Sequence, residues 1–119
     1  MKTLTRDRFV GHFRYAIQVH CLPMWRKRQK EAPTFLSASI FESMRTCAGE
    51  IPLELHAFAR IVAPAIVELH RITPKGLKPD PADFTGRLYD ALDAAGVEVG
   101  IGPPLEAHGA PGDSRRAGR

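Results

Sequence analysis

The longest apolar pattern in the chain lies in residues 51–72, IPLELHAFARIVAPAIVELHRI, and predicts a helix at the centre of the fold. Its apolar residues recur at steps of three or four, as on one face of an α-helix. These residues are Leu55, Phe58, Val62, Ile66 and Leu69, and the stripe is widened by Leu53, Ile61, Ala65 and Ile72. So wide a stripe is typical of a core helix with several neighbours. Pro52 suits the first turn of this helix, and Pro64 predicts a kink or a break.

Three shorter segments, residues 4–22, 33–49 and 81–95, repeat an apolar residue about every fourth position and are predicted to be amphipathic helices. Their stripes consist of Phe9, Phe13, Ile17 and Cys21, of Leu36, Ile40, Met44 and Cys47, and of Phe84, Leu88, Leu92 and Ala95. Gly11 interrupts the first pattern and predicts a close contact with another helix. The short link between the second segment and the central helix predicts that these two pack side by side.

Residue types at the helix ends support these bounds. Asp80 precedes Pro81, which is typical of a helix start, because the carboxylate can cap free N–H groups and proline loses no bond in the first turn. Gly49 and Gly96 fit the left-handed position that follows a last helical turn. Both glycines therefore predict the end of a helix.

Beyond the last predicted helix, residues 97–101 alternate in polarity like a strand. No second clear strand is present for pairing, so we expect an extended segment laid against the helices. Residues 102–119 are rich in Gly, Pro and Arg and are predicted to be disordered. The predicted fold class is all-α: residues 1–101 form a single-domain bundle of about four helices with a kinked apolar central helix and a short C-terminal extended segment.

The composition, with 44% hydrophobic and 25% charged residues, is that of an ordinary soluble globular protein. Charged residues interrupt the central stretch, so no run reaches the roughly 20 apolar residues of a membrane span. Charges spread through the first 15 residues do not fit a secretory signal. Cys21 and Cys47 are too few for a disulfide scaffold. We therefore expect a cytoplasmic protein that does not associate with membranes.

The net charge of +4 is concentrated in the first quarter of the chain. Residues 1–30 contain eight Lys or Arg residues and one acidic residue, which gives +7. The densest cluster follows Trp25 directly. The candidate binding residues are Arg6, Arg8, Arg14, Trp25, Arg26, Lys27, Arg28 and Lys30. A charge asymmetry of this kind bears on partners and on association rather than on the fold.

Two kinds of partner fit this basic surface. A larger protein with an acidic patch would be attracted by the charge and would dock on it. A nucleic acid would offer phosphates to the basic residues and a base for Trp25 to stack on. A third interpretation is a solvated loop, in which Trp25 covers the edge of the core. We favour the protein partner, because base-reading elements are missing and the helix best suited to the surface, residues 81–95, is acidic. A helix-turn-helix in residues 34–63 would have to take its most apolar helix out of the core.

Residue types used in metal binding and nucleophilic catalysis are present, but their spacing does not match a known motif. These residues are His12, His20, His56, His70, Cys21 and Cys47. They form no C-x-x-C or H-E-x-x-H pattern, and both cysteines lie on apolar stripes, where a thiol acts as a small hydrophobe. We therefore predict a non-catalytic accessory protein with no metal or cofactor. A metal- or thiol-dependent enzyme is the remote alternative.

Overall fold

Four α-helices make up most of the computed structural model, which describes residues 2–25 and 32–102. They are α1 (Arg6–His20), α2 (Ala32–Thr46), α3 (Leu55–Ile72) and α4 (Pro81–Ala94). A short 3₁₀ helix, Leu22–Met24, follows α1. The predicted all-α bundle is thus confirmed. Within the described part of the chain, no helix combines the length and the apolar character that crossing a membrane requires.

The apolar stripes of the four helices meet in one core. The fully buried side chains are Phe9, Phe13 and Ile17 of α1, Leu36, Ile40 and Met44 of α2, Phe58, Val62, Ile66 and Leu69 of α3, and Phe84, Leu88 and Leu92 of α4. Helix α1 packs mainly on α4, and α2 packs on α3 as the short link predicted. In the second pair the rings of Phe41 and Phe58 meet edge to face, with centroids 5.2 Å apart. The core is therefore built from most of the residues of the predicted stripes, whereas Leu55, Ile72 and Ala95, which the patterns also included, are exposed at helix ends.

Three very short strands lie outside the helices: one precedes α1, one lies between α2 and α3, and one follows α4. They are β1 (Lys2–Thr3), β2 (Gly49–Glu50) and β3 (Gly100–Ile101), which form an antiparallel sheet in the order β1-β3-β2. The prediction that residues 97–101 have no strand to pair with is therefore wrong. Each partner strand has only two residues, too few to show an alternating pattern in the sequence.

The predicted start of α4 is confirmed, since the Asp80 carboxylate accepts a hydrogen bond of 3.0 Å from the backbone N–H of Asp83. Gly96 follows this helix with a positive φ of 76°, as predicted. Gly102, the first residue of the predicted tail, donates a backbone hydrogen bond of 2.7 Å to Ala48. The prediction of disorder for residues 103–119 lies outside the described part of the chain.

Two predicted helix ends differ from the structure. Helix α3 begins at Leu55 rather than near Pro52, and it continues through Pro64 without a break. The left-handed residue after α2 is Ala48, with φ of 62°, and not Gly49. Gly49 is instead the first residue of β2. The chain therefore turns one residue earlier than the glycine pattern predicts, because the strand requires Gly49 itself.

Candidate interaction surface on the first helix

The fold separates the predicted basic residues into different surroundings. Arg26, Lys27, Arg28 and Lys30 lie outside the described residues. Arg6, Arg8 and Arg14 lie on α1. Trp25 directly follows the 3₁₀ helix Leu22–Met24. These four described residues do not share one environment, and only two of them face solvent without a charged partner.

Arg6 is bound within the fold. Its Nε donates to Oδ1 of Asp90 at 2.9 Å and its Nη2 to Oδ2 of the same residue at 3.1 Å. These hydrogen bonds, and then the charge of Arg6, lower the pKa of Asp90 below its ordinary value. The guanidinium lies against Gly86, where an added Cβ would come within 2.5 Å of Nη2. Arg6 therefore links α1 to α4.

Trp25 belongs to the core, with 3% of its surface exposed. Its ring stacks on His70 with centroids 3.8 Å apart and planes 8° apart, and Phe84 contacts it edge to face at 5.7 Å. A ring so enclosed cannot also stack on a nucleic-acid base. Its position agrees with the interpretation in which Trp25 covers the edge of the core.

Arg8 and Arg14 lie on the exposed side of α1. This outer face of α1 consists of Arg8, Gly11, His12, Arg14, Tyr15, Gln18 and Val19. Neither arginine forms an ion pair with another residue that the structure describes. Tyr15, which follows Arg14 directly, is 72% exposed, and Val19, one turn further on, is 42% exposed. The outer face thus combines two unpaired cations with an exposed aromatic ring and an aliphatic neighbour.

A shallow depression of about 300 Å³ borders the outer face of α1 at its N-terminal half. It is lined by Leu4, Arg8, Gly11, His12 and Ile101. A Cβ added to Gly11 would meet nothing within 4 Å, so the predicted close contact with another helix is wrong. The backbone of α1 is instead open to solvent at this position.

His12 is held in place at the border of the depression. Its Nε2 lies 2.6 Å from the carbonyl oxygen of Cys47, and since a carbonyl can only accept, Nε2 carries the proton. The ring also contacts Phe13 edge to face, with centroids 4.8 Å apart. This hydrogen bond fixes the position of the His12 ring, which forms one side of the depression.

The two cysteines are in different places. Cys21 is buried, with its Sγ 3.5 Å from the hydroxyl of Ser39 and 3.6 Å from that of Ser43, and Cys47 is partly buried. Burial raises the pKa of both thiols, which therefore stay protonated near neutral pH and are poor nucleophiles. Residues 2–25 and 32–102 contain no cluster of three or more His, Cys, Asp or Glu side chains that could hold a metal ion.

Sequence reasoning identified Arg8 and Arg14 but missed the exposure of Tyr15 and Val19, and it placed Gly11 in a helix contact that the structure does not show. A signal was present, because Tyr15 and Val19 are one turn apart and lie off the apolar stripe of α1, so the helix period places them in solvent. Surface candidates were selected by charge, so the uncharged Tyr15 and Val19 were not considered. Comparison of the chain with protein families, with curated proteins and with solved structures finds no match.

Proposed function

We propose that this chain is a small, non-catalytic accessory protein that docks on an acidic protein partner through the outer face of α1. The observation that carries the proposal is the 72% exposure of Tyr15 next to Arg14, on a helix face that also includes Arg8; neither arginine forms an ion pair with another described residue. Tyrosine and arginine are the residue types that most often dominate the energy of protein–protein interfaces. The raised pKa of both cysteine thiols supports a role without nucleophilic catalysis.

The arrangement suits binding for physical reasons. Tyr15 offers a large contact area with only two rotatable side-chain bonds, so its immobilisation costs little entropy. Covering Tyr15 and Val19 would remove apolar surface from water, worth about 25 cal/mol for each Å². The charge of +7 in residues 1–30 would speed the approach of an acidic partner and would orient it. Affinity would thus come from the apolar pair, and steering from the arginines.

The alternative, a nucleic-acid-binding regulator, relies on the basic residues that follow Trp25. Within the described part of the chain this alternative has less support, since Trp25 is enclosed and Arg6 is paired with Asp90. The two functions differ in their response to salt. Phosphate contacts would give a steep loss of affinity with added salt, with a slope of about 0.9 per phosphate on duplex DNA.

A site-specific photo-cross-link tests the proposal in the native host. Tyr15 is replaced by the photoreactive amino acid p-benzoylphenylalanine, and Val67, an exposed residue of α3, is replaced in the same way as a control. We expect a discrete protein adduct from position 15 that survives nuclease treatment, and none from position 67. Reversal of Arg14 to Glu in the same chain should reduce the adduct several-fold, because the acidic partner would then be repelled.

Filter binding at two salt concentrations completes the test. For a chain that docks on protein, affinity for generic DNA or RNA should be no tighter than about 10⁻⁴ M at physiological salt, the weak end of non-specific binding. Sub-micromolar binding that falls steeply with salt, together with no adduct at position 15, would show that the nucleic-acid function is the correct one.

A further inference from the structure

A cavity lies at the C-terminal end of α3, where the chain leaves the helix. It has a volume of about 280 Å³ and is lined by Trp25, His70 and the residues numbered 73–77. This volume is near the lower end of the range for small-molecule sites, which is roughly 300–1,000 Å³. We call it the α3-end cavity. Its lining shares no residue with the outer face of α1, so the two sites are distinct.

The loop that lines the α3-end cavity is a hydrogen-bonded turn. The backbone N–H of Leu77 donates to the carbonyl oxygen of Pro74 at 3.0 Å, and Gly76 has a positive φ of 91°. This combination fits a type II turn, in which glycine takes the third position without strain. Lys75 is the second residue of the turn, so the hydrogen bond fixes the backbone of a cation that lines the cavity. Leu77 adds apolar surface and is 59% exposed.

The stacked pair of His70 and Trp25 also lines the cavity. Trp25 contributes little surface, because it is 3% exposed, whereas His70 is partly buried. The Nε2 atom of His70 is buried and has no hydrogen-bond partner among the described residues. A buried polar atom without a partner is destabilising. A ligand that gives this ring a partner would recover part of the lost free energy.

The charge of the lining is positive. Lys75 is exposed and forms no ion pair with another described residue, and the lining contains no Asp or Glu. The nearest acidic residue on α3 is Glu68, whose two carboxylate oxygens accept hydrogen bonds from Arg71. Trp25, which packs on the face of the His70 ring, is uncharged. An anion in the cavity would therefore meet Lys75 without a competing carboxylate in the lining.

We propose that the α3-end cavity binds a small carboxylate with an apolar body, of about the size of benzoate. Its carboxylate would lie between Lys75 and a protonated His70, and its apolar body would cover Pro74 and Leu77. A negative charge close to an imidazole favours the protonated form. His70 would therefore take up a proton from solvent as the ligand binds, and both ring nitrogens would then be donors.

Titration of the full chain with benzoate, followed by proton–nitrogen NMR correlation spectra, tests the site. We expect saturable shifts of the backbone amides numbered 73–77. Benzamide has the same shape without the charge and should bind several-fold more weakly, as should acetate, which lacks the apolar body. Absence of shifts with benzoate, shifts spread evenly over the chain, or equal binding of benzoate and benzamide would each overturn the proposal.

Reversal of one charge tests the role of Lys75. Lys75→Glu should weaken benzoate binding by about fivefold or more, since an attraction becomes a repulsion. Lys78→Glu makes the same change of charge at an exposed residue outside the lining, and as the matched control it should leave binding nearly unchanged. An equal loss in both variants, or no loss in Lys75→Glu, would contradict the proposed site.

The pH dependence of binding tests His70. The affinity for benzoate should increase several-fold between pH 7.5 and 5.5, because binding takes up a proton. His70→Phe keeps a ring against Trp25 but cannot be protonated, so it should lose this increase. His56→Phe, at the other end of α3, is the control and should retain it. An increase that persists in His70→Phe would exclude His70 as the proton acceptor and would overturn its part in the site.

The outcome at this cavity is independent of the proposed docking through α1. Lys75→Glu should leave the photo-cross-link from position 15 unchanged, and Arg14→Glu should leave benzoate binding unchanged. Failure of one proposal is therefore distinguishable from failure of the other.

Discussion

Arg6 and Asp90 form a two-point ion pair that joins the first turn of α1 to α4 across 84 residues of sequence. The pair removes Arg6 from the basic surface that the charge pattern predicted. Its partner belongs to α4, in which three aspartates outnumber the one arginine, so two oppositely charged segments meet within one fold. The effective basic surface of the described chain therefore begins at Arg8.

The first prediction concerns the acid sensitivity of this pair. The pKa of Asp90 is lowered in the folded state, so its stabilising effect is complete above the ordinary value of 3.8 and is lost as the pH falls through the folded-state pKa. Asp90→Asn should therefore lower the free energy of unfolding at pH 7 and make little difference at strongly acid pH. Urea denaturation at both pH values measures this. The effect should be small, because the two side chains are 49% and 56% exposed.

Asp93→Asn serves as the control, since this neighbouring carboxylate is exposed and forms no ion pair within the described chain. It should not reproduce the pH-dependent loss. An Asp90→Asn variant that is equally destabilised at pH 7 and in strong acid would mean that the charge interaction is not the cause.

The second prediction concerns His70, which stacks on Trp25. Its Nε2 is buried with no hydrogen-bond partner among the described residues, and burial lowers its pKa. As the pH falls through the ordinary value of about 6.5, the unfolded chain takes up a proton before the folded one does. The free energy of unfolding should therefore decrease below about pH 6.5, until the folded-state pKa is passed.

His70→Phe keeps an aromatic ring against Trp25 but cannot titrate, so its stability should decrease less between pH 7.5 and 5.5 than that of the unchanged chain. His56→Phe is the control, because the His56 side chain is 70% exposed. Denaturant titrations at the two pH values compare the three proteins. Equal pH dependence in the unchanged chain and in His70→Phe would show that another group is responsible.

The third prediction concerns the turn between α2 and β2. A Cβ on Gly49 would lie 2.7 Å from the backbone oxygen of Met44 and 3.0 Å from the Phe13 ring. Gly49→Ala should therefore destabilise the fold by about 1–3 kcal/mol through overpacking. Ala48→Gly should instead raise the free energy of unfolding by up to about 1 kcal/mol. Glycine removes the steric strain of alanine at positive φ, and the greater flexibility of the unfolded chain offsets part of this gain. Thermal denaturation ranks the stabilities of the two variants and the unchanged chain. A Gly49→Ala variant more stable than Ala48→Gly would contradict the prediction.

The local features of the fold could be predicted from the sequence. The stripe through Phe58, Val62 and Ile66 and the cap at Asp80 depend on neighbours along the chain, which a helical period displays directly. The exact residue at which a helix ends was harder to predict from the sequence. Ala48 turns in place of Gly49 because the contacts of Gly49 with Met44 and Phe13 arise only in the folded chain.

Features that join distant parts of the chain could not be predicted. Pairing of Lys2–Thr3 with Gly100–Ile101 leaves no trace in two residues of sequence. The same applies to the ion pair between Arg6 and Asp90 and to the stack of Trp25 on His70, since many charged and aromatic residues are available for each contact. Charge counting therefore pointed to a basic segment but could not determine that Arg6 pairs with Asp90 in the fold.

The fourth prediction tests whether Gly11 serves binding rather than folding. Gly11 is an exposed residue inside α1, and an added Cβ would meet nothing within 4 Å. Glycine within a helix costs about 0.5–1 kcal/mol relative to alanine. Gly11→Ala should therefore raise the free energy of unfolding by about that amount, as measured by urea denaturation. If the partner enters the depression that Gly11 lines, the added methyl group should at the same time weaken the photo-cross-link from position 15.

Opposite signs in the two measurements distinguish function from stability. Arg60→Ala is the control: it lies at an exposed position of α3, outside the outer face of α1, and should leave the cross-link unchanged. A stabilised Gly11→Ala chain with an undiminished cross-link would place the partner elsewhere on α1, on Tyr15 and Val19 alone. A weaker cross-link despite higher stability has one physical cause, the loss of close approach to the bare backbone at Gly11, because a destabilised fold cannot then explain it.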